Sequence, residues 1–311
     1  MRLRAHIAAP VLAVLCGQAH AADVVGYSEA FDTLFRVDLS THTAQEVGAA
    51  GYLNGTQRIA DLEGLSFSPA GGLFAVSDAL KVLVRIDPQS GHGSLVGPLN
   101  LAGESISQPL DLGMTFTCDG RLWLSATDGN FWQVDPSNGA TTPVGKLGVK
   151  VTGLAAKGNQ VYAAGSQGNN NLYLVDTSNA HTTLLGAYNS GVYITTASPA
   201  FDSAGNLFSI LAYVPPEPGQ TKIPPWSDLA SLDLKTGTLT NTGNIVGPPD
   251  LQSEFYGDLK GLAIVPPACG GGGGGGVATD PTPGLSSLGK LLLMSLLAAV
   301  AGTRLRRRRR N

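Results

Sequence analysis

The sequence predicts an all-β protein, a propeller of about five blades, and three observations predict it. The 311 residues include 41 Gly and 19 Pro but only 14% charged residues, a composition typical of short strands and tight turns. One four-strand phrase recurs along the middle of the chain. Aspartates that end equivalent strands recur at similar spacing. The repetition favours one domain over two.

The recurring phrase begins with Gly-apolar-x-apolar and continues through a Gly-containing turn, two apolar strands and a short last strand. Full copies begin at Gly64, Gly113 and Gly153, and a looser copy begins near Pro199. A fragment, Gly261–Val265, supplies only a first strand. The pattern alternates enough to predict half-buried strands.

The phrase contains an aspartate at the end of its third strand. These aspartates are separated by 49, 48, 41 and 57 residues and are Asp38, Asp87, Asp135, Asp176 and Asp233. A four-strand repeat of about 40 to 50 residues is the signature of propeller blades. Five copies predict five blades, with six or seven as the alternative. The favoured role for the aspartates is hydrogen bonding to the amides of the next turn.

Three strands are missing from the last copy, and the N-terminal part of the chain supplies them. They are predicted in Val24–Ser28, Thr33–Leu39 and Thr43–Gly48. Pairing of the last strand with these three would close the ring and leave no blade as an open edge. We therefore expect a first blade composed from both ends of residues 22–268.

The N-terminus, residues 1–21, has the pattern of a secretory signal peptide. Arg2 and Arg4 precede the apolar run Ile7–Leu15, and small residues follow at the expected cleavage site between Ala21 and Ala22. About nine apolar residues are too few to span a bilayer core of roughly 30 Å. We expect cleavage here and export through the inner membrane.

The C-terminus combines a Gly-rich linker, residues 269–280, with a tail, residues 281–311. The tail has an apolar stretch from Leu285 to Gly302, followed by Arg304 and a run that starts at Arg306. Eighteen residues interrupted by Lys290 are marginal for a stable span but suit a stop-transfer segment, with the arginines on the cytoplasmic side.

Pro281-Thr282, the apolar segment and the terminal arginines together resemble the C-terminal sorting signals of Gram-negative bacteria whose motif begins Ile-Pro-Thr-Leu. Asp280 and Pro283 depart from that pattern. The resemblance implies export, transient membrane anchoring, and processing by a sorting protease or translocation machinery before surface display or secretion. A permanent membrane anchor is the alternative.

The repeat resembles secreted NHL-like and lactonase-like propellers in phrases such as Glu63–Pro69 and Ile86–Pro88. The resemblance covers residues 23–265 and implies the blade architecture. These phrases carry little functional specificity, because one fold can host many functions.

The charge of the middle region argues against nucleic acid as a partner. Two basic residues lie in residues 1–21 and seven in residues 277–311, leaving 11 of the 20 in the middle, against 22 of the 23 acidic residues. A net charge of about −11 repels phosphate backbones.

Of the three cysteines, Cys16 belongs to the predicted leader. Cys118 and Cys269 could pair in an oxidising compartment, but their turn and glycine-run contexts predict no disulfide framework.

Long loops are predicted on one face of the propeller, where blades connect to each other and where second strands lead into third strands. Loops of this length are usually functional. In the proline-rich insertion 214–226, Trp226 offers a contact surface for a partner, or it folds back on its own blade. Three histidines follow the predicted leader: His42, His92 and His181. They fall in separate outer turns of different blades, so they cannot converge on one metal.

Four carboxylates are predicted at the channel mouth, each just before an innermost strand: Asp61, Glu63, Asp111 and Asp258. They could bind Ca²⁺ or hold a cationic group. Lys260 has the same register as Glu63 in the neighbouring blade, so an ion pair explains part of the pattern.

No catalytic signature occurs, neither a Gly-x-Ser-x-Gly elbow nor a phosphate loop, a paired Cys motif or His-Glu-x-x-His. We therefore expect a noncatalytic module that binds a protein or a carbohydrate through its long-loop face. A metal-dependent hydrolase of the lactonase type is one alternative, and a structural surface protein is another.

Overall fold

The computed structural model describes residues 25–30, 32–101, 110–214, 227–248, 259–266 and 269. These residues form 22 β-strands and no helix, so none of them belongs to a helix able to cross a membrane. The chain divides into two units, Met1–Gly272 and Gly273–Asn311, and every described residue belongs to the first. The predicted leader and tail lie outside the described residues.

The strands follow one another along the chain and group into blades of four. Before the second blade come β1 (Val25–Ala30), β2 (Thr33–Asp38), β3 (Thr43–Ala49) and the small hairpin of β4 (Tyr52–Leu53) and β5 (Gln57–Arg58). The second blade contains β6 (Leu62–Phe67), β7 (Leu73–Ser77), β8 (Val82–Ile86) and β9 (Gly93–Pro98). The third contains β10 (Leu112–Phe116), β11 (Leu122–Ala126), β12 (Asn130–Val134) and β13 (Thr141–Lys146).

The remaining blades repeat this order. The fourth contains β14 (Val151–Lys157), β15 (Gln160–Gly165), β16 (Asn171–Asp176) and β17 (His181–Ala187). The fifth contains β18 (Tyr193–Phe201), β19 (Leu207–Val214), β20 (Asp228–Leu232) and β21 (Leu239–Asn244), and β22 (Lys260–Ile264) follows. The described residues thus form five antiparallel four-stranded sheets, a five-bladed β-propeller, as the sequence predicts.

The first blade is composite, with the strand order β22-β1-β2-β3. The last strand pairs antiparallel with the first, with Gly26 opposite Ile264 and Tyr27 opposite Ala263. The prediction that both ends of the domain build one blade is confirmed. This pairing closes the ring, because β22 joins the N-terminal strands to the inner strands of the second and fifth blades.

The position of each strand within its blade explains how deeply the strand is buried. Inner and middle strands are enclosed by neighbouring blades, so β10 and β11 are buried along their full length, whereas the outermost β21 is mostly exposed. Apolar side chains from adjacent blades form shared clusters: Leu262 and Ile264 of the first blade pack with Ile210 and Leu229 of the fifth. The inner strands β6, β10, β14, β18 and β22 line a narrow central channel.

The loops fall into two sets, which define two faces. Blade-to-blade connections and the loops between second and third strands bond to one another, as where the Asp78 N–H donates to the Asp61 carbonyl at 2.9 Å. We call this the long-loop face. Turns after first strands lie on the opposite, far face, where the Cys118 N–H donates to the Gly158 carbonyl at 2.9 Å.

The five repeated aspartates stabilise the turn that follows the third strand of each blade. Asp38, for example, accepts hydrogen bonds from the N–H groups of Ser40 and Thr41, both at 2.9 Å. The Ser40 hydroxyl group also donates to Asp38 at 2.7 Å, and this bond together with the N–H bonds lowers the pKa of the Asp38 carboxyl. Equivalent bonds to turn residues are accepted by the other four, Asp87, Asp135, Asp176 and Asp233. The interpretation of these residues as turn-forming is confirmed.

A disulfide joins Cys118 to Cys269, with the two Cα atoms 5.4 Å apart. The sequence did not predict this bridge. Cys118 lies in the turn between β10 and β11, and Cys269 follows β22, whose C-terminal end reaches the same far face. The cysteines are 151 residues apart in sequence, and only the closed ring brings them together.

Candidate functional site

The channel mouth on the long-loop face is organised around the ammonium group of Lys260. Its Nζ atom lies 2.9 Å from Glu63 Oε1 and 3.2 Å from Asp61 Oδ1. The Lys260 side chain is 30% exposed and that of Glu63 only 5%. Burial alone would lower the pKa of Lys260, but the carboxylates of Glu63 and Asp61 outweigh it and raise that pKa.

Two backbone irregularities position this pair. Gly64 and Gly261 both have positive φ, 57° and 64°, a conformation that favours glycine. Each glycine follows the charged residue of its strand, at a place where pairing with the neighbouring strand shifts register. The predicted equivalence of Glu63 and Lys260 is therefore correct, and β6 and β22 present the two side chains side by side.

Glu63 is held from two sides. Its second oxygen, Oε2, accepts a hydrogen bond from the Leu112 N–H at 2.6 Å. Burial raises the pKa of Glu63, whereas Lys260 opposes the shift and Asp111 adds to it. Lys260 and the Leu112 N–H already donate to its two carboxylate oxygens, so the group is held as the anionic partner of the lysine.

Asp111 directly precedes β10 at the same mouth and is held by the short loop between β15 and β16. Its Oδ2 atom accepts a hydrogen bond from Gln167 Nε2 at 2.9 Å. Burial raises its pKa, and Lys260 opposes that shift. Gln167 comes from the loop between β15 and β16, so this contact joins the third and fourth blades across the mouth.

Sequence reasoning missed Glu29, a further carboxyl group of this cluster. Glu29 pairs with Lys260 in the β1–β22 register and is only 3% exposed. Burial raises its pKa well above the ordinary value, with Lys260 opposing and Glu63 adding to the shift. Its pairing with β22 could have identified it, because β1 was already predicted to lie beside that strand.

The fourth predicted carboxylate, Asp258, and the predicted contact residue Trp226 lie outside the described residues. Within the described part of the chain, no group of three or more His, Cys, Asp or Glu residues is arranged to hold a metal ion. The cationic group that Asp61 and Glu63 hold is the protein's own Lys260.

Little space remains below the mouth. A cavity of about 20 Å³ lies among Glu63, Asp111, Thr152, Ser198 and Lys260. A second cavity of about 30 Å³ lies towards the far face and is lined by residues that include Phe67, Phe116 and Phe201. A buried water molecule needs roughly 10 to 15 Å³ of such space, so each cavity is large enough for one or two waters and no more.

The long-loop face around the mouth exposes aromatic side chains. Tyr52, in the β4–β5 hairpin, is 56% exposed, and Tyr193, where the fifth blade begins, is 49% exposed. Arg58 fixes the hairpin, because its guanidinium group lies 2.9 Å from a carboxylate oxygen of Asp32 in the loop between β1 and β2. Asp32 also accepts a hydrogen bond from the Asp61 N–H at 2.7 Å. The hairpin is thus linked to the mouth.

Comparisons with known proteins give likenesses to solved structures at low sequence identity. No protein-family model matches the chain. No curated protein matches it either. A chain of a nidogen/laminin complex is similar at 10% identity and a TM-score of 0.44, over 78% of this chain and 98% of that one. A catalytically inactive virginiamycin B lyase from Staphylococcus aureus, solved with quinupristin, is similar at 12% identity and a TM-score of 0.42, over 72% and 71%.

A hydrazine synthase from Kuenenia stuttgartiensis is similar at 20% identity and a TM-score of 0.38, over 61% of this chain. The chain spans about half, 52%, of the length of that synthase chain. These likenesses concern the fold alone. The protein is a five-bladed β-propeller whose channel mouth is crossed by an internal ion-pair network.

Proposed function

We propose that the protein is an exported, noncatalytic propeller that binds a protein or carbohydrate partner through its long-loop face. One observation carries the noncatalytic part: Lys260 bridges Asp61 and Glu63 across the channel mouth. The position that a catalytic metal would occupy beside these carboxylates is taken by the ammonium group of Lys260.

The size of the channel supports this proposal. Pockets for small molecules usually enclose about 300 to 1,000 Å³. The cavity beneath Lys260 has about 20 Å³ and its polar lining is already hydrogen-bonded in part, for example at Glu63 and Asp111. A substrate would have to displace the bridge before it could enter.

The surface beside the mouth suits a larger partner. Tyrosine is enriched among the residues that dominate binding energy, because its ring buries much apolar area while its hydroxyl group keeps a polar partner. Tyr52 and Tyr193 present such rings in loops of the long-loop face, and Arg58 holds the Tyr52 hairpin in place.

Export is supported by the disulfide and by the predicted ends of the chain. Disulfides persist in oxidising compartments and are rare in the cytosol. The Cys118–Cys269 bridge therefore fits passage through the membrane behind the leader of residues 1–21. In this proposal the tail of residues 281–311 anchors the propeller in the membrane before display or release.

Site-specific photocrosslinking in the producing cells tests the binding surface. A photoreactive phenylalanine analogue replaces Tyr52 or Tyr193 in the full chain, and the matched controls replace Leu95 or Leu184, exposed leucines of outer strands. We expect the same discrete adduct from both tyrosine positions and none from the leucine positions. Equal adducts from all four positions, or none from any, would contradict the proposal.

A further inference from the structure

The closing strand β22 completes the ring through its pairing with β1. Its pairing with β1 comprises Gly26 opposite Ile264, Tyr27 opposite Ala263 and Glu29 opposite Lys260, with a register shift between the last two pairs. In the other four blades the innermost strand continues into the second through a turn, whereas in the composite blade that turn is open. The N-terminal end of β1 and the C-terminal end of β22 therefore lie beside each other at the far face.

The structure holds β22 at each of its ends by a different kind of bond. At the long-loop face, Lys260 forms ion pairs with Asp61 and Glu63 of the second blade. At the far face, the chain beyond Ile264 reaches Cys269, which is bonded to Cys118 of the third blade. The hydrogen-bonded strand thus lies between an electrostatic attachment and a covalent one.

The turn that receives the disulfide is itself firmly attached. The Cys118 N–H donates to the Gly158 carbonyl at 2.9 Å, and the Asp119 N–H donates to Asn159 Oδ1 at 3.0 Å. Both acceptors belong to the fourth blade. Within the third blade, Trp123 Nε1 donates to Thr117 Oγ1 at 3.2 Å. A force applied at Cys269 is therefore distributed over the third and fourth blades.

We propose that the Cys118–Cys269 disulfide is a force-bearing latch that isolates the closing strand from tension on the C-terminal part of the chain. Without the bond, a pull beyond residue 269 acts on Ile264 and separates β22 from β1 one pair after another. With the bond, the same pull enters the ring at the β10–β11 turn. Use of the latch in the cell rests on the proposed membrane tail, but the mechanical property belongs to the propeller.

Single-molecule pulling on the full chain tests the latch. One handle is attached at the C-terminus and the other at Thr56, an exposed residue of the turn between β4 and β5. The oxidised chain should show no extension step from β22 before the ring ruptures. After reduction with a dithiol, residues 260–269 should come free first, in an early step of at most about 35 Å at roughly 3.5 Å per residue.

Two variants provide the control. Cys118→Ser and Cys269→Ser remove the same bond from opposite sides, so both should reproduce the reduced trace without reductant. Because reduction of the folded native chain gives the same comparison, the test does not depend on the folding of either variant. An early step in the oxidised chain, or identical traces before and after reduction, would overturn the latch. Loss of partner binding by the tyrosine variants would leave this result unchanged, so the two proposals fail separately.

Discussion

The ammonium nitrogen of Lys260 lies 2.9 Å from a carboxylate oxygen of Glu63, and the two residues come from opposite ends of the domain sequence. Lys260 begins the last strand, whereas Glu63 belongs to the first strand of the second blade. This contact therefore serves two purposes: it fills the acidic channel mouth and it attaches the closing strand to the neighbouring blade.

Substitution of Lys260→Met should destabilise the propeller. Removing one partner of a mostly buried ion pair leaves the other charge uncompensated, at a cost of about 3 kcal/mol in the free energy of unfolding. Chemical denaturation measures this loss. The double variant with Glu63→Gln should recover most of it, because the uncompensated carboxylate is then neutral. If the two substitutions add without recovery, Glu63 is not the main partner of Lys260.

Glu29 should contribute to the stability of the native protein at low pH, and this contribution should be lost as pH rises. Burial raises the pKa of Glu29 well above 4.5, so the folded state favours the neutral carboxyl group. The stabilisation is fully present below pH 4.5 and is lost as pH rises through the folded-state pKa. Glu29→Gln keeps a neutral group at every pH. Thermal unfolding should show equal midpoints for both proteins near pH 4 and a higher midpoint for the variant near pH 9; equal midpoints throughout would contradict the assignment.

Substitution of Asp38→Ala should cost less than about 1 kcal/mol, since its hydrogen bonds to Ser40 and Thr41 are exposed to solvent. Ser40→Ala is the matched control and should cost less, because it removes the hydroxyl donor and keeps the N–H. The contribution of Asp38 should be present above pH 3.8 and lost as pH falls through its lowered pKa. Urea titrations at neutral pH and near pH 2 measure the difference. A larger loss for Ser40→Ala would argue against the turn-forming role.

Reduction of the disulfide should destabilise the fold while leaving it assembled. A loop of 151 residues corresponds to at most about 5 kcal/mol in the chain-entropy account of cross-links. Chemical denaturation with and without a dithiol measures the loss. Cys118→Ser lacks the bond and is the control, because the dithiol should leave its stability unchanged. An unchanged free energy of unfolding in the native protein would show that the bond constrains nothing in the unfolded chain.

Local sequence patterns were sufficient for the architecture. Glycines such as Gly64 and Gly113 mark first strands, and turn aspartates mark third strands, because each blade repeats the same strand and turn requirements. Those signals predicted five blades and the composite closure. They also predicted that Lys260 and Glu63 share a register.

Contacts between distant parts of the chain were harder to predict. The Cys118–Cys269 bridge depends on where the closed ring carries the end of β22, which no local pattern encodes. Glu29 lies within an ordinary strand, and its burial follows from pairing with a strand more than 200 residues away. Asp258 and Trp226 lie outside the described residues, so their proposed roles at the mouth and in the insertion stay predictions.

Calcium titration of the native protein and of Lys260→Met tests the closed channel mouth most directly. Ligands that bind only the folded state raise its unfolding temperature. Since Lys260 already supplies the cation for Asp61 and Glu63, added Ca²⁺ should not shift the native unfolding temperature. In Lys260→Met the carboxylates lose that partner, and a Ca²⁺-dependent rise should emerge. A saturable rise in the native protein, abolished by Glu63→Gln, would contradict the account.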